Sequence, residues 1–70
     1  MSTSVSTRLV SLRKEKNLSQ KEAAAALGVS QALLSHYEKG IRECGLDFLC
    51  RASTFYDVST DYLLGLSESK

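Results

Sequence analysis

Apolar positions recur along this chain with a helical period, and small or turn-forming residues cut the pattern into five segments. Val5, Leu9 and Leu12 stand at i, i+4 and i+7, which predicts a first helix from Val5 to about Lys16. Asn17 can end it, and Leu18 then drops into the core. The next segment opens with Ser19 and carries Glu22 three residues later, the pairing of a capping box. Ala23, Ala24 and Leu27 form one narrow stripe, and Gly28 follows as a left-handed stop that needs no Cβ. Val29 alone separates Gly28 from Ser30, the predicted cap of a third helix running from Gln31 to about Lys39, with Gly40 as its end.

The loop Ile41–Gly45 carries Arg42 and leads to a fourth helix, Leu46 to about Tyr56, whose inward stripe is predicted as Leu46, Leu49, Ala52, Ser53 and Tyr56. Ser59 caps a short last helix through Leu64, stopped by Gly65. Met1–Ser4 and Leu66–Lys70 read as loose ends. With no proline and no two-residue alternation, the class is all-α: a compact five-helix domain. Helices two and three are joined too tightly for bulky residues at their crossing, and the alanines supply the room. That combination is a helix-turn-helix. Seventy residues suit one domain spanning 1–70, with a small core over about 5–66.

Charge changes the picture more by distribution than by sum. The net value is +1, but Met1–Arg42 holds seven Lys/Arg against three Asp/Glu, and Glu43–Lys70 holds two against five. A basic front and an acidic back can orient the molecule on a polyanion. The run Arg13–Lys16 reads in itself as a solvated face whose cations favour the helix C-terminus. No apolar run approaches a membrane span and no leader pattern opens the chain, so a cytoplasmic protein without membrane contact is expected. Cys44 and Cys50 with the single His36 fit no metal site, and no cofactor or small-molecule ligand is indicated. Cys50 is expected at the core or its boundary and Cys44 as an exposed loop thiol. Scattered carboxylates, and a histidine with no Cys or Ser/Asp arrangement predicted around it, argue against an enzyme.

If Leu34 and Tyr37 face inward, Gln31, Ala32, Ser35 and His36 face outward on the third helix. That surface is short, neutral and able to hydrogen-bond, as a helix entering a major groove must be. The ordered motifs then resemble the lambda-repressor-like, Cro/CI-type helix-turn-helix family. They are Leu9, Leu12 and Arg13; Leu18 to Glu22; Gly28 to Gln31; Leu34 to Gly40; and Phe55 to Gly65. The resemblance covers about Arg8 to Leu66.

It implies that Gln20 meets a DNA phosphate and that Ser30 caps the recognition helix near the backbone. It also implies that Gln31, Ala32 and His36 face base edges with Ser35 nearby, and that Lys39 and Arg42 meet phosphates. Arg13 and Glu38 occupy the positions of an ion pair between helices one and three. Ala23, Ala52 and Ser53 are smaller than, or differ from, the residues common there, and Cys44 replaces a frequent proline.

The function implied is a sequence-specific regulator of transcription on double-stranded DNA, a repressor acting as a homodimer on a palindromic operator. Tyr62, Leu64 or Leu66, with the outer face of helix four, would supply the dimer contact. The alternative is a protein-interaction module of the same fold, antitoxin-like or a regulatory partner, without operator binding. A gel shift set against a pull-down separates the two.

Overall fold

Turn chemistry at the segment boundaries sets the architecture. In the computed structural model, which describes residues 5–70, the chain forms α1 (Val5–Glu15), α2 (Gln20–Leu27), α3 (Gln31–Lys39), α4 (Leu46–Tyr56) and α5 (Thr60–Leu63). No strand occurs among the described residues. Asn17 closes α1 in the left-handed region at φ 57°, and the Leu18 N–H turns back to the Arg13 carbonyl at 3.2 Å. Ser19 and Glu22 form the reciprocal capping box: the serine Oγ accepts from the Glu22 N–H at 3.0 Å, and the Glu22 carboxylate accepts from the Ser19 N–H at 2.9 Å. Ser59 caps α5 by accepting from the Tyr62 N–H at 3.0 Å. The polar lead Met1–Ser4 lies outside the described residues.

The helices pack pairwise, α1 on α3 and α5, and α2 and α5 on α4, with α2 and α3 crossing each other. Leu9, Leu27, Leu34 and Leu63 are fully buried between them. Ala23 and Ala24 are also buried, where their small volume allows the α2–α3 crossing. Tyr37 and Phe48 lean together at 4.5 Å between ring centroids and join α3 to α4.

Three expectations are corrected. Leu46 does not face inward: it is 76% exposed, and Phe48 takes the buried place beside Leu49, Ala52 and Tyr56. As the first residue of α4, Leu46 directs its side chain back past the helix end, where no preceding turn meets it. The cysteines exchange roles, with Cys50 exposed and Cys44 half-buried. Burial pushes the Cys44 thiol up to about 11. Arg8, which the sequence left without a stated partner, is 5% exposed, its guanidinium 3.8 Å from the Tyr62 ring centre and 2.9 Å from the Glu68 carboxylate. Lastly, Leu66–Lys70 is not loose. Glu68 holds Arg8, Lys70 Nζ meets Glu15 at 3.0 Å, and the Lys70 carbonyl accepts from the Ser59 N–H at 2.8 Å.

Candidate nucleic-acid interface

Three residues, Gly28, Val29 and Ser30, separate α2 from α3. Gly28 sits at φ 75°, and its N–H closes on the Ala24 and Ala25 carbonyls while the Val29 N–H returns to Ala24 at 3.0 Å. Ser30 has extended backbone, and its Oγ accepts from the Leu33 N–H at 3.1 Å. The turn therefore satisfies the backbone at the end of one helix and the start of the next within the same few residues. It fixes the angle at which α3 leaves the body of the protein.

On α3, Leu34, Tyr37 and Glu38 are buried, and Gln31, Ala32 and His36 are exposed with Ser35 half-buried beside them. The four side chains expected on the outer face thus share it. Lys39 and Arg42 are both exposed at the far end, on either side of Gly40, whose φ of 74° ends the helix. Ser30 is exposed at the near end. The structure thus places Gln31, Ala32, Ser35 and His36 along one edge and two cations after it.

Gln20 is half-buried at the first position of α2, and its amide is already engaged: Nε2 donates to Glu38 Oε1 at 3.0 Å. The other Glu38 oxygen accepts from Arg13 Nε at 2.9 Å, and Arg13 Nη1 donates to the Leu18 carbonyl at 2.9 Å. The Arg13 and Glu38 side chains are 14% and 3% exposed. One network therefore ties α1, the start of α2 and the last turn of α3, directly behind the outer face. Gln20 keeps its second amide hydrogen for an outside acceptor. The buried Tyr56 hydroxyl adjoins this network with no partner among the described residues. Burial raises its pKa, and the Glu38 charge adds to the effect while Arg13 opposes it.

The charge asymmetry is smaller in space than along the chain. Of the seven cations in the front half, Arg8 and Arg13 are spent on ion pairs, which leaves Lys14, Lys16, Lys21, Lys39 and Arg42 exposed. Arg51, on α4, was not singled out by sequence reasoning; only its contact with the α2–α3 turn gives it interest, and α4 periodicity carries no sign of that contact. No helix among the described residues is long and apolar enough to cross a membrane.

Two short helices, a glycine turn and a solvent-facing second helix define a helix-turn-helix protein. The chain belongs to the helix-turn-helix family HTH_3, whose family model matches residues 9–63. It is similar to the HTH-type transcriptional regulator ImmR of Bacillus subtilis (strain 168), 43% identical over 65 residues that make up 93% of this chain and 51% of that protein. The chain spans about half the length of the curated relatives it matches.

Among solved structures it is similar to the P22 c2 repressor in complex with a synthetic operator. The TM-score is 0.86 and the identity 26%, with 93% of this chain and 98% of that chain covered. It is also similar to SinR, a master regulator for biofilm formation, in complex with DNA. There the TM-score is 0.78 and the identity 33%, with 84% and 95% covered. These likenesses meet the expectation of a Cro/CI-type all-α fold.

Proposed function

We propose that this chain is the DNA-reading module of a transcriptional regulator, and that it lays α3 in the major groove of double-stranded DNA. The observation that carries the reading is the division of labour on α3. Leu34, Tyr37 and Glu38 hold the helix from behind, and Gln31, Ala32, Ser35 and His36 stand on the opposite side for a ligand. The P22 c2 repressor and SinR are complexed with DNA in the structures this fold matches, which supports the same ligand here.

In this reading the free amide hydrogen of Gln20, together with Lys39 and Arg42, meets phosphates and sets the module on the duplex. Gln31 pairs with an adenine edge through its amide, Ala32 offers a methyl contact, and His36 adds a contact one turn on. A domain of this size makes few contacts, so two copies on paired half-sites are the route to useful affinity, and blocking polymerase access gives repression. Exposed Leu64 and Leu66, with Leu46 on α4, offer apolar surface for that pairing.

Selection of bound DNA from a random pool tests the reading. A two-fold symmetric consensus is expected. On that consensus, Lys39→Ala or Arg42→Ala weakens binding equally on all sequences and lowers the salt slope by about one. Gln31→Ala relaxes one position of each half-site, worth about 1–3 kcal/mol of discrimination, and leaves the slope intact. No enrichment over the starting pool would refute the proposal.

A further inference from the structure

A side chain of a third helix, half exposed, approaches the end of α2 beside the α2–α3 turn. Arg51, on α4, sends Nη1 to the Leu27 carbonyl at 3.5 Å, and the same nitrogen lies 3.2 Å from where a Cβ on Gly28 would stand. Its other terminal nitrogen, Nη2, is 3.2 Å from the Asp47 carboxylate one helical turn earlier, the favourable order for such a pair. The turn's own amides go elsewhere, Gly28 to Ala24 and Ala25 and Val29 to Ala24. The last turn of α2 also contains no basic residue to meet the partial negative charge of its carbonyl end. Arg51 supplies that cation from outside the helix.

We infer that Arg51 is a positioning residue for DNA reading: it clasps the end of α2 to α4 and so fixes the turn from which the recognition helix projects. The inference rests on the DNA-reading function proposed above. A planar guanidinium suits the task because one edge reaches the carbonyl while the other stays with Asp47, which a lysine's single ammonium cannot do at once. Glycine at position 28 serves the clasp twice, by adopting the left-handed conformation and by leaving the guanidinium room to lie against the backbone. Arg51 itself touches no base in this account. It acts through the angle of α3.

The test uses Arg51→Met, which keeps the length of the side chain and removes the charge and donors, beside Arg51→Lys. In the protein without DNA, amide hydrogen exchange at Gly28 and Val29 is expected to quicken several-fold in Arg51→Met, with α1 amides unchanged. On selected DNA, affinity is expected to fall about two- to fivefold, the range of a lost helix-end charge. The ratio of specific to non-specific binding should shrink and the salt slope should hold. Arg51→Lys should recover part of the exchange protection.

A salt slope lower by about one would make Arg51 a phosphate contact and overturn the inference. Exchange that quickens equally in every helix would overturn it as well, since that marks general stability alone. Should the unmodified protein bind no DNA, the functional reading falls on its own. The exchange experiment would still decide whether Arg51 holds the turn.

Discussion

Glu38→Ala is the substitution with the largest effect the structure foretells outside the apolar core. The Glu38 carboxylate accepts from Arg13 Nε at 2.9 Å and from Gln20 Nε2 at 3.0 Å, and its side chain is 3% exposed. Truncation deletes both bonds and leaves Arg13, itself 14% exposed, with the Leu18 carbonyl as its remaining partner. A hydrogen bond to a charged group contributes about 1.5–3 kcal/mol, and breaking a buried pair by removing one member costs about 3–5 kcal/mol. A loss of about 3 kcal/mol is therefore expected. For a domain this small that lowers the melting temperature by about 12–24 °C, at about 4–8 °C per kcal/mol.

Thermal melts followed by circular dichroism measure the effect, and urea titration checks that the transition stays two-state. The double substitution Arg13→Met with Glu38→Leu separates the pair from its packing. Because two charges no longer need burying, it should recover much of what the single change loses. A melting temperature within about 4 °C of the unmodified protein for Glu38→Ala, less than about 1 kcal/mol, would refute the reasoning.

Three further outcomes follow from the same geometry. Gly28→Ala forces a Cβ into φ 75° beside Arg51 and should cost about 1–2 kcal/mol, read as a shift in the urea midpoint; an unchanged midpoint would show that the turn relaxes freely. Burial lifts the Cys44 thiol from its ordinary 9.0 to about 11, so the folded state keeps its proton where the unfolded state has lost it. Stability should be level below pH 9 and fall as pH climbs toward 11, by more than in Cys44→Ala, and iodoacetamide should label exposed Cys50 first. Leu66→Glu, altering a side chain 76% exposed, should leave the melt unchanged and weaken self-association in sedimentation; equal association by both proteins would remove Leu66 from any interface.

The helices were legible because their ends are written in residues with few alternatives. Ser19 with Glu22, Gly28 with Ser30, and Gly40 each do one job that neighbours in the chain can complete. The outer face of α3 followed from periodicity, and the Arg13–Glu38 pair from resemblance. What stayed hidden depends on partners far along the chain. Arg8 reads as one more cation of α1 until Tyr62 and Glu68 close over it from the other terminus. Cys44 and Cys50 carry nothing local that says which of them the fold will cover. Leu46 fits the apolar period of α4 but stands at its first position, while Phe48 and Leu49 in the same turn reach the core. Arg51 looks like half of an ordinary pair with Asp47, and its second contact crosses to another helix.

The arrangement behind α3 has an evolutionary consequence. Gln20, Arg13, Glu38 and the Leu18 carbonyl bond one another, whereas Gln31, Ala32 and His36 project into solvent. The side chains that would distinguish one DNA sequence from another therefore carry little of the folding free energy. Surface positions of this kind usually change stability by less than about 0.5 kcal/mol when substituted. A lineage can thus exchange what it recognises one residue at a time without passing through unfolded intermediates, while the frame that aims the helix stays under constant selection. On such a scaffold, divergence of target should run ahead of divergence of structure.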